Sequence, residues 1–212
     1  MNCELIKVCG MRDADNIRTL DLLGIANWMG FIFYPASSRY VETVPEYMPR
    51  HSRRVGVFVN ATIEDIIAHC ADYSLNAVQL HGDETPDYCS ELRQQLPTGT
   101  AIIKVISVSS EEDLKRTTDY TSTVDYFLFE TPCSTYGGSG EKFQWELLNA
   151  YTGTRPFLLS GGIGPDDIDA IIRFRHPKLL GIDLNSRFEI SPALKDTNRL
   201  MHFITTLKSK ES

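Results

Sequence analysis

Residues 156–187 read PFLLSGGIGPDDIDAIIRFRHPKLLGIDLNSR, and two short apolar runs within them decide the fold. Each run, 156–160 and 179–184, has the length of a strand and breaks off into a turn. The first ends in Ser160-Gly161-Gly162-Ile163-Gly164 and the second in Asn185-Ser186-Arg187. Paired glycines let a backbone approach a ligand closely and present consecutive N–H groups to an anion. Phosphate binding by the loops after the last two strands is a recurring feature of the (β/α)8 barrel. The plainer reading is a glycine-rich turn, and the position of the pair between these two strands argues against it.

Working back toward the N-terminus, strand-like runs recur at residues 4–9, 28–33, 54–59, 77–81, 101–108 and 125–130, which makes eight in all. Several are apolar on both faces, such as Met29-Gly30-Phe31-Ile32-Phe33. A parallel strand between a barrel interior and an outer helix layer requires that double burial. Helical patterns fill the gaps. Thr62 with an acid three residues on caps one helix, Thr85 followed by Pro86 opens the next, and Ser110 followed by Glu111, Glu112 and Asp113 opens another. Cys70 and Cys89 fall on apolar helix faces and are expected in the core. Alternation without a linker predicts one α/β domain over residues 1–212. An open doubly wound sheet fits the alternation too, but a count of eight favours a single-domain (β/α)8 TIM barrel.

Composition narrows the function classes. Of 212 residues 42% are hydrophobic, enough for a substantial core, and the net charge of −7 with no Lys/Arg block argues against a nucleic-acid surface. No apolar run approaches the ~20 residues that span a bilayer. The opening MNCELIKVCGMRD has no secretory apolar segment. The five cysteines are scattered without a CxxC pair, so neither a disulfide framework nor a zinc site is expected, and a cytoplasmic setting is.

In such barrels the chemistry sits at the C-terminal ends of the strands. The predicted strand ends are polar or glycine-rich: Cys9-Gly10, Asn60, His81-Gly82, Glu130-Thr131, Ser160-Gly161-Gly162 and Asp183-Leu184-Asn185-Ser186 among them. Leu5, Lys7 and Cys9 alternate onto one face of the first strand, so Cys9 is expected at the mouth with Lys7 one layer below. A thiol beside a cation has a lowered pKa and can abstract a proton as thiolate; a small buried hydrophobe is the competing reading. Lys7 can instead pair with Asp183, because the first and eighth strands adjoin when a barrel closes. Glu130 ends the sixth strand beneath a long glycine-rich segment, 132–140, that reads as a lid. Glu130 and Cys9 are therefore expected to flank a substrate, one giving and one taking a proton. Arg39 can hold a substrate carboxylate by a two-point fork. Gln79 and His81 share a face of the fourth strand and line the site.

Taken together, LIKVCGMRD, GFIFYPASSRYV, RVGVFVN, VQLHGDE, YGGSGEKFQW, FLLSGGI and GIDLNSRFE closely resemble the phosphoribosylanthranilate isomerase family of tryptophan biosynthesis. The resemblance implies a (β/α)8 barrel and an Amadori rearrangement of N-(5-phosphoribosyl)anthranilate to the 1-deoxyribulose 5-phosphate, without metal or cofactor. The family's base falls on Cys9, its carboxylate-binding arginine on Arg39, and its phosphate grip on Gly161, Gly162, Asn185 and Ser186. Asp183, Gln79 and His81 complete the substrate side. A phosphorylated small molecule is the implied partner, and the chain is expected as a monomer or homodimer.

Two residues depart from the family pattern. Its general acid is an aspartate, and the aligned residue here is Glu130; a displacement on the order of 1 Å can cost about 10²-fold in rate. Arg187 stands where the family usually has glycine, which would add a charged contact to the phosphate set or change the loop's shape. Two further activities fit a phosphate-binding barrel: a Schiff-base aldolase using Lys7 or Lys104, and a barrel that binds phosphosugars without turning them over.

Overall fold

The computed structural model describes residues 4–130 and 145–211. Its eight parallel strands close into a TIM barrel in chain order: β1 (Leu5–Val8), β2 (Trp28–Ile32), β3 (Arg53–Phe58), β4 (Ala77–Leu80), β5 (Ala101–Ser107), β6 (Tyr126–Glu130), β7 (Phe157–Ser160) and β8 (Leu179–Leu184). Every predicted strand is present, its ends within one residue of the sequence reading. Closure comes from β1 pairing with β8, in a register that sets Lys7 opposite Asp183.

The helices are α1 (Ala14–Leu23), α2 (Ile63–Tyr73), α3 (Pro86–Gln95), α4 (Glu111–Lys115), α5 (Thr117–Tyr120), α6 (Ile168–Arg173) and α7 (Thr197–Glu211). Their starts follow the caps read from the sequence. Thr62 accepts from the N–H of Asp65, Thr85 accepts from that of Tyr88, and Asp113 accepts from those of Ser109 and Ser110. Each satisfies amide donors that the first turn leaves without a helical partner. Cys70 and Cys89 are buried on α2 and α3, as expected.

Among the described residues the alternation departs from α-helix in two crossings: a 3-10 helix, Trp145–Ala150, precedes β7, and the crossing from β2 to β3 has no helix. Residues 33–52, between β2 and β3, form turns and bends but no helix. Prolines at 35, 45 and 49 interrupt helix propagation there. The segment is instead pinned by Asp21 of α1, which is 1% exposed. Its carboxylate accepts from the Tyr47 hydroxyl and from the backbone N–H groups of Arg50, His51 and Ser52, at 2.8–3.0 Å. Burial alone would raise the carboxyl's pKa, but these four donors outweigh it and hold it below the ordinary value.

Two cores follow from the alternation of side chains along each strand. The larger fills the space between strands and helices. The smaller plugs the barrel itself with Leu5, Trp28, Val55, Ala77, Ile103, Val105, Leu128 and Leu158. Above that plug, the same inward-facing rows continue as Lys7 and Cys9 on β1 and beyond its end, Gln79 and His81 on and beyond β4, and Glu130 at the end of β6. The fold thus carries the interior from apolar at the bottom to ionisable at the top. A short antiparallel pair, β9 (Glu189–Ser191) and β10 (Leu194–Lys195), follows β8 and leads into α7.

Candidate active site

A cleft of about 140 Å³ opens at the C-terminal ends of the strands. Cys9, Gln79, His81, Glu130, Asp183 and the Gly161-Gly162 and Asn185-Ser186 turns all line it. Nine of the eleven predicted site residues therefore meet in one place. Two larger grooves, of about 430 and 450 Å³, lie around Arg12 and residues 42–46 and contain none of these nine.

Cys9 follows β1, and its backbone N–H donates to Leu184 of β8 at 2.9 Å. Its thiol rests against Gly30 of β2: a Cβ on that glycine would stand 2.8 Å from Sγ and 3.2 Å from the cysteine Cα. Gly30 is therefore part of the site, because only the absence of a side chain there leaves room for the sulfur. One layer down, Lys7 Nζ donates to Asp183 Oδ1 at 2.8 Å, the pairing anticipated from barrel closure. Burial would lower the lysine's pKa, but Asp183 and the neighbouring thiol more than reverse that. The expectation of a lowered pKa at Cys9 is not met. Burial pushes the thiol up, and Lys7, whose effect Asp183 partly offsets, does not bring it back.

Across the mouth, Glu130 Oε2 lies 3.1 Å from His81 Nε2. The Gln79 amide lies 3.4 Å from His81 Nδ1. With that amide donating to Nδ1, the imidazole carries its proton on Nε2 and donates it to Glu130. This hydrogen bond outweighs desolvation and lowers the Glu130 pKa. Gln79 is buried, and among the described residues its Oε1 has no partner, although the residue lines the cleft. The segment predicted to cover Glu130, with Cys133, lies outside the described residues.

The anion turns have the backbone the paired glycines suggested. Gly161 and Gly162 sit at φ of 99° and 62°, a region side chains disfavour. Ser160 Oγ reaches toward Asp183 Oδ2 at 3.5 Å. Arg187 is exposed in the 3-10 turn Ser186–Phe188, packs its Cβ and Cγ toward Gly164, and does not line the cleft. Arg187 is not at positive φ, so the turn does not require glycine there. Arg39 also stands outside the cleft lining. Its Nε and Nη2 grip the Glu189 carboxylate at 2.6–3.1 Å, so that edge of the guanidinium is engaged within the protein.

Sequence reading missed Glu189 and its second partner, Lys195. Lys195 Nζ donates to Glu189 Oε1 at 2.6 Å and to Asn185 Oδ1 at 2.7 Å. A Lys-Asp pair near the C-terminus carries no motif signal, and β10 is only two residues long. The lysines considered for Schiff-base chemistry are both ion-paired: Lys7 with Asp183, and Lys104 with Glu84 at 3.0 Å. Lys104 lies between residues 103 and 105, which face the barrel interior, so it points outward toward α3 and α5 and away from the cleft. Among the described residues no three His, Cys, Asp or Glu side chains converge as metal ligands would, and no helix is long and apolar enough to cross a membrane.

Comparison with known proteins agrees with this geometry. Residues 6–206 match the family model described as N-(5'phosphoribosyl)anthranilate (PRA) isomerase. The N-(5'-phosphoribosyl)anthranilate isomerase of Phocaeicola vulgatus is 49% identical over 206 residues, spanning 97% of this chain and 98% of the relative. The crystal structure of phosphoribosyl anthranilate isomerase from Thermotoga maritima superposes with a TM-score of 0.78 at 30% identity, covering 97% of this chain and 98% of that one. A structure of phosphoribosyl anthranilate isomerase in complex with reduced 1-(o-carboxyphenylamino)-1-deoxyribulose 5-phosphate superposes at 0.76 and 28% identity, with the same coverage. A closed barrel, a thiol and a carboxylate facing one cleft, and a match along almost the whole chain place it in the N-(5'-phosphoribosyl)anthranilate isomerase family.

Proposed function

We propose that this chain catalyses the rearrangement of N-(5'-phosphoribosyl)anthranilate to 1-(o-carboxyphenylamino)-1-deoxyribulose 5-phosphate in tryptophan biosynthesis, with Cys9 as base and Glu130 as acid. The observation that carries the residue assignment is the meeting of Cys9, Glu130 and both anion turns in one cleft.

The backbone of Gly161, Gly162, Asn185 and Ser186 binds the 5-phosphate and so fixes one end of the sugar. Glu130 delivers a proton to the furanose oxygen while His81 steadies the other carboxylate oxygen. The C1–O bond breaks, and the anilino nitrogen's lone pair forms the Schiff base. Cys9 thiolate then takes the C2 proton, giving an enolamine that tautomerises to the ketone. Atoms balance without an external oxidant or reductant, since the reaction moves hydrogen within one molecule. Gln79 Oε1, buried without a partner among the described residues, is an acceptor for a sugar hydroxyl. Asp183 holds Lys7 beneath the thiol. Arg39 binds the anthranilate carboxylate once its guanidinium is shared between that group and Glu189. Arg187 contributes long-range positive charge beside the phosphate turn. A cytoplasmic location fits a biosynthetic enzyme whose cysteines include two deeply buried free thiols on helices.

The test is the decay of fluorescence of freshly made phosphoribosylanthranilate with purified protein. Turnover by the wild-type chain is expected, with loss in Cys9→Ala and Glu130→Gln. A wild-type chain that binds the product tightly but leaves the substrate untouched would reduce it to a phosphosugar-binding barrel.

A further inference from the structure

Two buried ammonium groups flank Cys9. Lys7, one layer below, faces Asp183 across the β1–β8 seam. The second is Lys195 on β10, whose side chain is 0% exposed. Three elements lock it in place. Its Nζ donates to Asn185 Oδ1 and Glu189 Oε1. Its backbone N–H donates to Asn16 Oδ1 of α1, and its carbonyl accepts from Asn16 Nδ2, both at 2.9 Å.

Gly10 brings this ammonium up to the thiol's own stretch of chain. A Cβ on Gly10 would stand 2.7 Å from Arg39 Cδ, 2.9 Å from Asn185 Oδ1 and 3.5 Å from Lys195 Nζ. The residue after the thiol is therefore bare of side chain where the lysine arrives, at φ +75°, which glycine tolerates.

We propose that Lys195 is a positioning residue of this site, an ammonium held by Asn185 and Glu189 that stabilises the Cys9 thiolate and ties it to the phosphate turn. Glu189 does not cancel that charge, because its two oxygens also take Arg39 Nε and Nη2, so one carboxylate faces two cations. The charged groups that act most on the thiol are Lys7, Asp183 and Lys195. Lys7 and Lys195 favour the thiolate and Asp183 opposes it, so Asp183 offsets part of what Lys7 gives and Lys195 adds to the bias that remains. At short range in a water-poor interior, one such charge is strong enough to move a titration midpoint by about a unit.

This inference rests on Cys9 being the base, but its test reads the sulfur directly, so the two readings fail separately. Cys9 alkylation by iodoacetamide, a neutral probe, is followed by mass spectrometry of the Cys9 peptide as a function of pH. Below the midpoint, Lys195→Met is expected to alkylate about tenfold more slowly than wild type, and Lys195→Arg to restore most of the rate. Glu189→Gln removes negative charge and is expected to speed alkylation. The opposite signs separate an electrostatic role from a structural one, which would move both variants the same way. A wild-type rate in Lys195→Met, or slower alkylation in Glu189→Gln, overturns the proposal. If Lys195→Met does not fold, Lys195→Gln against Lys195→Arg decides the matter, and equal alkylation rates in those two overturn the proposal.

Discussion

Glu130 Oε2 and His81 Nε2 lie 3.1 Å apart at the mouth of the barrel, joining the ends of β6 and β4. The imidazole holds the carboxyl below its ordinary pKa, while burial holds Cys9 above the ordinary thiol value. The form that the proposed chemistry needs, with Glu130 protonated and Cys9 ionised, is thus the minor one of two tautomers with equal proton count. The acid limb of kcat/KM in the free protein then reports Glu130, and the alkaline limb reports Cys9. His81→Asn removes the imidazole, so the acid limb should move upward toward the ordinary carboxylate range. A pH profile of kcat/KM for both proteins checks this, and an unmoved limb would detach His81 from the acid.

Cys9→Ala and Glu130→Gln should each lower kcat by about 10²–10⁴-fold, the range general acid and base groups contribute. Neither side chain holds the barrel together, so thermal midpoints should stay close to wild type. A Glu130→Gln protein with near-normal kcat would remove the acid assignment. Glu130→Asp shortens the side chain by one methylene and should lose the His81 contact, shifting the acid limb while retaining turnover.

Gly30→Ala places a methyl 2.8 Å from the present position of the Cys9 sulfur. The sulfur is the end of a side chain and must yield, so a misplacement on the order of 1 Å should lower kcat by about 10²-fold. Far-UV circular dichroism should be unchanged, because β2 keeps its backbone pairing. A kcat within a factor of two of wild type would show that the thiol's exact seat is unimportant.

Asp21→Asn tests the pin on the helix-free crossing from β2 to β3. The native carboxyl titrates below its unfolded value, so its stabilisation is complete above the unfolded pKa and is lost as pH falls through the folded one. At neutral pH the variant should lose about 3 kcal/mol, or about 6–12 °C in Tm. As pH falls through the folded pKa of Asp21, the two proteins should converge. Melting curves across that pH range check both statements, and a constant gap in Tm would contradict the linkage.

The barrel was legible because each strand advertises itself. Four to eight apolar residues stop at a polar or glycine end, and that pattern located all eight strands and most of the cleft. The crossing at 33–52 was misread because alternation is a statement about its neighbours, whereas its prolines and the distant Asp21 decide its path. Lys195 and Gly30 were invisible for a related reason. One acts on Cys9 from the far end of the chain, and the other acts by having no side chain. The lowered thiol pKa was inferred from Lys7 alone, without the depth of burial that reverses it.

The seam between β1 and β8 brings residues 7 and 183 together from opposite ends of the molecule. During synthesis the first seven strands emerge with Lys7 lacking its counter-charge and with half of the proposed phosphate cradle unmade. A lysine in an apolar barrel without its carboxylate is costly, by about 3–5 kcal/mol when one partner of such a pair is missing. Productive closure therefore waits for the last strand to leave the ribosome. The pairing that completes the wall also carries the Asn185-Ser186 turn into the cleft, so the site cannot assemble ahead of the finished barrel.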